Sequence, residues 1–284
     1  MAHQHSLFLE NFSYVYPFAD RAAFNNISFE LNTGETLGIV GPSASGKTSL
    51  LYAIAGILQK HFPAGSMSGT ILRDATKPLI APAETGFVFQ DQYMQLSGVT
   101  ETVEAEIAFS LEQLGMSPRL IRERIAEQVL QFHLEHLALR HPRTLSGGET
   151  RMLAFACELA KHPHCLFLDQ PADSLHAEGV QLLVSVLKAR KHSTTVIVTD
   201  HRLEMISTIC DKVLFLLDGN QKFFGTPAGL LTSALDLHVL DIPLWIDAQQ
   251  KLVGHVETLS YREALRILQS RRDLRQWHSS NAEK

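Results

Sequence analysis

The chain has 284 residues, of which 45% are hydrophobic and 19% are charged, and its formal net charge is −5. This length allows one large domain or a domain with an appendage, and the apolar fraction is sufficient for a packed core. Because the charges form no block of one sign, the composition argues against a nucleic-acid-binding protein held by a basic face.

The polar start of the chain gives no indication of a secretory signal, and no run approaches the ~20 apolar residues of a membrane helix. We therefore expect any membrane role to act through a partner. The three cysteines, Cys157, Cys165 and Cys210, lie in apolar runs without C-x-x-C spacing. This pattern predicts small buried side chains in a reducing compartment.

Apolar runs and alternation predict strands, and runs with a period near 3.6 predict helices. The predicted strands are residues 6–12, 27–31, 36–40, 70–72, 86–89, 165–169, 195–199 and 213–217. The predicted helices are residues 48–58, 103–114, 118–133, a helix opened by 146–148 and running to 160, 180–189, 203–209 and 261–271. Nearly all-apolar strands that alternate with helices predict an α/β fold with a mostly parallel sheet covered on both faces. Residues 95–145 have no strand pattern and predict an inserted helical subdomain.

Residues 41–48 fit the phosphate-binding P-loop, G-x-x-x-x-G-K-[ST], between a predicted strand and a predicted helix. The glycines let successive N–H groups point at phosphate oxygens, and the helix N-terminus adds its own. Lys47 is predicted to reach the β- and γ-phosphates and Thr48 to bind Mg²⁺. An ordinary Gly-Ser turn is the alternative, which the strand and helix context disfavours. The predicted nucleotide-binding residues are Gly41, Pro42, Ser43, Ala44, Ser45, Gly46, Lys47, Thr48 and Ser49.

Two further elements add to this pattern. Asp169 ends an apolar strand, the arrangement in which a carboxylate holds Mg²⁺ directly or through water. Residues 145–149 read Leu-Ser-Gly-Gly-Glu at the start of a predicted helix, which is typical either of a second phosphate cradle or of a plain N-cap. Taken alone, the N-cap is the simpler interpretation.

The order of these elements strongly resembles that of the ATP-binding-cassette (ABC) ATPases over residues 6–226. The resemblance implies ATP and Mg²⁺ as cofactors. It also implies a dimer, in which each ATP lies between one subunit's P-loop and the other subunit's signature, here Ser146, Gly147, Gly148 and Glu149.

Three more positions take their expected roles from this resemblance. Tyr16 matches the aromatic residue that stacks on adenine, with Tyr14 as the second candidate, although their alternation also suits one face of a strand. Gln90 matches the glutamine that contacts Mg²⁺ and water and senses a transmembrane partner. His201 matches the switch histidine, for which a structural histidine is the alternative.

Residues 89–96 and 102–109 are similar to the ATPases of energy-coupling-factor importers, which take up vitamins and transition-metal ions such as cobalt and nickel. Gln95 matches a second glutamine of that branch, and Glu106 matches its acid before an Ile-Ala-Phe run. Residues 200–204 and the C-terminal segment, with a proline turn at 242–244, also suit it. Asp91 and Gln92 depart from the usual Asn-Pro.

The catalytic position after Asp169 departs from the family pattern, because it holds Gln170 where the family has glutamate. An amide can orient water, but it is a poor proton acceptor, so we expect this chain's own site to bind ATP and to hydrolyse it slowly. Gln170 is either a laboratory change of the kind that traps ATP or a natural divergence. The neighbouring Ala172, Asp173 and His176 also depart from the pattern, which favours natural divergence.

Together these features predict an ABC ATPase domain at 1–227, with a helical subdomain at about 95–145, an antiparallel β subdomain, and a dimer-contacting appendage at 228–284. The predicted function is ATP binding and hydrolysis that energise an importer at the cytoplasmic face of the cell membrane. The predicted partners are a second ATPase subunit, identical or different, an integral membrane coupling protein and a substrate-binding membrane subunit. The alternatives are the ATPase of another transporter type, a non-transport cassette protein, and a regulatory subunit without turnover. The single cassette without sustained heptads argues against the non-transport class.

Overall fold

A computed structural model describes residues 5–73, 84–91, 94–231, 233, 240 and 246. The strands are β1 His5–Val15, β2 Phe24–Asn32, β3 Thr36–Val40, β4 Ser66–Arg73, β5 Thr85–Val88, β6 Cys165–Asp169, β7 Thr195–Thr199, β8 Lys212–Leu217 and β9 Asn220–Gly225. The helices are α1 Lys47–Ile54, α2 Ile57–His61, α3 Val103–Glu112, α4 Pro118–Gln131, α5 Gly147–Ala160, α6 Ala177–Ala189, α7 Leu203–Ile209 and α8 Pro227–Leu231. Two 3₁₀ turns, Glu135–Leu137 and Pro142–Thr144, lie between α4 and α5.

The described strands form a sheet in the order β4-β1-β2-β9-β8-β3-β7-β6-β5. The five strands from β8 to β5 run parallel, whereas β4, β1 and β2 pair antiparallel. Strand β9 pairs antiparallel with β8 and parallel with β2. This arrangement confirms the predicted fold class: a mostly parallel sheet with an antiparallel β subdomain.

Alternate residues of the central strands pack on opposite faces of the sheet. In β6, Leu166 and Leu168 join one hydrophobic cluster, whereas Cys165 and Phe167 join the other. Strands β7 and β8 alternate in the same way. Burial on both faces explains why these strands are almost wholly apolar in sequence.

The helical subdomain is an excursion between β5 and β6. Thr102 caps α3 by accepting a hydrogen bond from the backbone of Ala105, and Ser117 caps α4 before a proline at its first position. Helices α3 and α4 pack on each other and on α5, and residues 95–145 contain no strand. α5 therefore connects this subdomain to the parallel sheet.

Two predicted elements need correction. The helix predicted at 48–58 ends at Ile54, because Gly56 has the left-handed φ of 76° and a short second helix follows it. Strand β9 was not predicted, although the Asp218-Gly219 pair before it is a hairpin signal, and both residues have positive φ.

Strand β5 lies at one edge of the sheet, and side chains make hydrogen bonds to its backbone there. Gln95 donates to the carbonyl of Phe87 at 2.8 Å and accepts from the N–H of Phe89 at 3.1 Å. Glu158 of α5 accepts from the N–H of Phe87 at 3.0 Å. Gln95 also donates to Glu158 at 3.0 Å, so a loop and α5 both hold this edge.

Glu106 also makes hydrogen bonds that support the fold. It is buried on α3 and accepts hydrogen bonds from the backbone and hydroxyl of Ser97 and from the hydroxyl of Thr100. This carboxylate thus organises the loop before α3.

All three cysteines are buried, as predicted. None of the helices among the described residues combines the length and hydrophobicity that a bilayer crossing requires. The predicted helix at 261–271, the turn at 242–244 and Gln92 lie outside the described residues.

Candidate functional site

The P-loop backbone follows a path that side chains would obstruct. A Cβ on Gly46 would lie 2.3 Å from the carbonyl oxygen of Ala23, and this residue has a φ of 95°. A Cβ on Gly41 would lie 2.3 Å from the carbonyl oxygen of Leu216. Glycine is therefore required at both positions by close approach of the neighbouring backbone.

Lys47 begins α1 and folds back over the loop. Its Nζ donates to the carbonyl oxygens of Gly41 at 2.8 Å and Pro42 at 2.7 Å. Burial lowers the pKa of Lys47, while the carboxylates of Asp169 and Asp200 oppose that shift. The ammonium group is thus held at the centre of the loop, where phosphate oxygens can replace the carbonyls as its acceptors.

Asp169 lies at the end of β6, beside the start of α1. Its Oδ1 accepts hydrogen bonds from Thr48 at 3.0 Å and from Thr199 at 2.6 Å. The side chain is fully buried, and no described residue donates a hydrogen bond to its Oδ2. Burial raises the pKa of Asp169, and the two hydroxyl donors and Lys47 counteract part of that shift. A buried carboxylate oxygen without a donor is suited to a cation.

The P-loop and the loops that follow β5 and β6 line a partly open cavity of about 450 Å³. It is lined by Ala23, Ser43, Ala44, Ser45, Gly46, Lys47, Thr48, Ser49, Gln90 and Gln170. Gln90 follows β5 and Gln170 follows β6, so the ends of two parallel strands present amides to the P-loop. Nine of these ten residues are among those predicted from the sequence, and Ala23 is not.

The backbone at Gln170 is fixed by β7. Its N–H donates to the carbonyl oxygen of Thr199 at 3.0 Å and lies 3.1 Å from the hydroxyl of the same residue. Gln170 has a φ of 46°, which is uncommon for a residue with a side chain. Thr199 therefore holds both Asp169 and Gln170, and sequence analysis missed it although it closes a predicted strand.

The two aromatic candidates differ in burial. Tyr16 is half-buried, and its hydroxyl donates to Ser49 of α1 at 3.1 Å. Tyr14 is only 1% exposed and packs against Phe24 in the core. Tyr16 is therefore partly accessible but does not line the P-loop cavity, whereas Tyr14 is excluded by burial.

Residues Ser146 to Glu149 open α5 through a capping box. Glu149 accepts from the N–H of Ser146 at 2.7 Å, and Ser146 accepts from the N–H of Glu149. The hydrogen bond from the Ser146 backbone lowers the pKa of Glu149. Ser146 is exposed, Gly147 and Gly148 are partly exposed, and none of the four residues lines the P-loop cavity. The structure thus has the N-cap geometry, and it leaves this helix start accessible.

His201 lies in the loop after β7 and does not line the P-loop cavity. Its side chain is 47% exposed, and its Nδ1 lies 3.7 Å from the buried carboxylate of Asp200. In the next residue, Arg202, the Nε atom lies 3.2 Å from Oδ1 of Asp200. The Nη2 atom of Arg202 lies 3.5 Å from Oδ1 of Asp173, which is in the loop that contains Gln170. The Arg202–Asp173 ion pair therefore connects the loops that follow β6 and β7.

The family described as ABC transporter matches residues 24–173. The chain belongs to this family. The match covers the P-loop, Gln90, residues 146–149 and Asp169, which is the set that the geometry places around the cavity and at the start of α5.

Relatives of this ABC transporter family member carry provisional names as ABC transporter ATP-binding proteins. One from Methanosarcina mazei is 37% identical over 229 residues, which is 78% of this chain and 45% of the relative. One from Pyrococcus horikoshii is 36% identical over 213 residues, which is 72% of this chain and 78% of the relative. The chain thus spans less than half of the first of these relatives and most of the second.

A solved structure with the same fold is cbiO1 from Clostridium perfringens, described as part of the ABC transporter complex cbiONQ. It superposes with a TM-score of 0.69 at 24% identity and covers 88% of this chain and 97% of its own. At this identity the likeness supports the fold alone.

The family is one of ATPases that bind ATP, normally with Mg²⁺, and the residues of this chain fit both groups. The Thr48 hydroxyl and the unpartnered Oδ2 of Asp169 provide the hard oxygen ligands that Mg²⁺ prefers. The P-loop provides a lysine and a helix N-terminus for phosphate oxygens.

Proposed function

We propose that this chain is the ATP-binding subunit of a membrane importer of the energy-coupling-factor type. The observation that carries the proposal is the 450 Å³ cavity that brings Lys47, Thr48, Gln90 and Gln170 together beside Asp169. In this proposal the transported substrate is a vitamin or a transition-metal ion, chosen by another subunit.

The nucleotide contacts follow from this arrangement. Lys47 and the N–H groups of residues 43–49 bind the phosphates, and Tyr16 stacks on the base. Thr48 and Asp169 hold Mg²⁺, with Gln90 as a third contact. Bound Mg²⁺ supplies charge neutralisation at the phosphate oxygens. Asp169 also accepts from Thr199, so its carboxylate is already oriented before nucleotide binds.

Gln170 makes this chain's own site slow. Its amide lies in the cavity and can orient a water molecule, but it cannot accept the proton that a glutamate would accept. His201, whose side chain is 47% exposed, is proposed as the second polar group of this step. Because Gln170 limits turnover and not binding, a regulatory ATP-binding subunit without turnover is the second candidate function.

The separation of residues 146–149 from the P-loop cavity supports a dimer. None of these residues lines the cavity, and their helix start is partly exposed, which supports a second ATPase subunit as the source of the nucleotide that they contact. If the partner is a different chain with a glutamate at the position of Gln170, its P-loop and this chain's Ser146, Gly147 and Gly148 form the active site. This chain's own ATP then acts as a long-lived clamp. The segment 228–284 is proposed to add to the dimer contact.

An apolar surface next to Gln90 supports an integral membrane partner at the cytoplasmic face of the membrane. A cavity of about 540 Å³ between α2 and β5 is lined by Ile57, Phe87, Phe89 and Phe167 among others. In the segment between β5 and α5, Met94, Val99 and Leu139 are 74%, 73% and 80% exposed. Movement of a helix docked here would reach Gln90 directly, because Gln90 follows Phe89 in the chain.

Co-purification after mild cross-linking in the native cells tests the transport proposal. We expect the chain to carry an integral membrane protein with it, and Val99→Glu to abolish this association. Leu130→Glu is the matched control, since Leu130 is 66% exposed on α4 and remote from Gln90 in sequence. If no integral membrane protein co-purifies, or if both variants behave alike, a coupling surface at this position is wrong.

A further inference from the structure

Arg151, on the second turn of α5, is one of the largest fully buried side chains in the described part of the chain. It is 1% exposed. Its guanidinium donates to the carbonyl oxygen of Gln90 at 2.6 Å and to that of Phe89 at 2.5 Å. One side chain therefore holds two consecutive carbonyls at the point where β5 turns into the loop of Gln90.

Burying this cation is costly. Both hydrogen bonds go to neutral carbonyl oxygens, and no described residue accepts a hydrogen bond from its Nε. Burial lowers the pKa of Arg151, and attraction from Asp173, Asp169 and Asp91 offsets only part of that effect. Even a buried ion pair can often be replaced by apolar packing without loss of stability, and a buried cation with only neutral acceptors is costlier still. Packing alone is therefore a poor explanation for an arginine here.

The same helix holds β5 at a second point. Glu158 lies seven residues after Arg151, two turns along α5 on the same face, and it accepts from the N–H of Phe87. The two contacts flank Phe87 to Gln90, so displacement of α5 displaces the Gln90 backbone with it. α5 also begins at the capping box, where Ser146 is exposed and residues 147–149 are partly exposed.

We propose that Arg151 is a positioning residue: it fixes the backbone at Phe89 and Gln90 so that the Gln90 amide stays in the P-loop cavity. This inference rests on the proposed ATP and Mg²⁺ site. It adds that the start of α5 and the Gln90 amide move as one unit, so engagement of residues 146–149 by a second subunit is transmitted to the cation site.

The test compares ATP binding with and without Mg²⁺, using the full chain. The ratio of the ATP dissociation constant in EDTA to that in excess Mg²⁺ defines the magnesium gain. The variants are Arg151→Met, Arg151→Lys, Gln90→Ala and the double variant Arg151→Met/Gln90→Ala. Arg190→Met is the control for loss of a largely buried arginine elsewhere, since Arg190 is 14% exposed and contacts Gln131 and Glu127.

We expect Arg151→Met to reduce the magnesium gain about tenfold, to the value of Gln90→Ala, since loss of an outer group that orients a ligand commonly costs 10–100-fold in metal affinity. The double variant should lose no more than either single variant. Arg151→Lys should retain part of the gain, because an ammonium group keeps the charge but not the two-pronged geometry. ATP binding in EDTA should change less than twofold, and Arg190→Met should keep the full gain.

A magnesium gain in Arg151→Met within twofold of the unmodified chain would overturn the inference. So would single losses that multiply in the double variant, because Arg151 would then act independently of Gln90. If Arg151→Met does not fold, a full gain in Arg151→Lys would overturn it equally. Absence of ATP binding in the unmodified chain would instead refute the proposed function itself, so the measurement on the unmodified chain distinguishes the two failures.

Discussion

Replacing Gln170 by glutamate exchanges a side-chain amide for a carboxylate and leaves the shape of the cavity unchanged. The Gln170 backbone is held by two contacts from Thr199, at 3.0 and 3.1 Å, and these do not depend on the side chain. Glu and Gln have nearly the same size, so the carboxylate will occupy the place of the amide beside Lys47 and Gln90. The effect on rate should therefore be chemical and not structural.

The size of the effect follows from general-base catalysis. A positioned base contributes about 10²–10⁴-fold, which corresponds to about 3–5 kcal/mol of activation free energy. We expect Gln170→Glu to raise ATP turnover by at least about 10²-fold in dimers of this chain, with ATP affinity changed little. Phosphate release at saturating ATP measures turnover, and ATP binding is measured alongside it.

Gln170→Ala is the control, and it should not accelerate hydrolysis, since it adds no base. If Gln170→Glu binds ATP but hydrolyses it no faster, the reasoning that the amide limits turnover in dimers of this chain is refuted. The departures at Asp173 and His176, or a missing partner chain with its own glutamate, would then explain the low rate.

Three further outcomes are expected. His176 is the N-cap of α6, but its side chain makes no capping hydrogen bond. His176→Asp should therefore raise the free energy of unfolding of the nucleotide-free protein, measured in urea, by about 0.5–1.5 kcal/mol. An unchanged free energy of unfolding would contradict the capping argument. Because burial raises the pKa of Asp169, the stability that this group contributes in EDTA is fully present below the ordinary Asp range and is lost as pH rises through the raised pKa. Asp169→Asn should remove that pH-dependent loss and be more stable than the parent at pH 7, while it loses the magnesium gain. An Asn variant less stable than the parent in urea unfolding would show that the carboxylate is better satisfied than its contacts indicate. Burial raises the pKa of Cys157 and of Cys210, and Cys165 is also buried. Iodoacetamide should therefore label no cysteine in the folded chain and all three cysteines in guanidinium. Labelling of the folded chain would mean that the core opens.

Most of the parallel sheet could be predicted from sequence, because strands buried on both faces are unbroken apolar runs. β3, β6 and β7 have the predicted bounds for this reason. β9 could not be recognised in the same way, since most of its residues are only partly buried and its sequence has no clear alternation. The helix at 48–58 was overextended because its apolar spacing continues past the glycine that ends it.

The P-loop cavity could be predicted nearly complete, because a contiguous motif and two strand ends determine it. The contacts that support the cavity could not be predicted from the sequence. Thr199 and Arg151 reach the site through the pairing of β6 with β7 and the packing of α5 on β5, and neither is encoded by a local spacing. Burial of the Arg151 charge is likewise a property of the tertiary fold.

The hydrogen bonds that Gln95 and Glu158 make to Phe87 and Phe89 have a consequence for solubility. An outermost strand normally offers free backbone donors and acceptors, and a strand from another molecule can add to it and begin an aggregate. Here side chains occupy three of those backbone groups on β5 and the residue after it. These two polar residues therefore protect an apolar, phenylalanine-rich edge against intermolecular β-pairing.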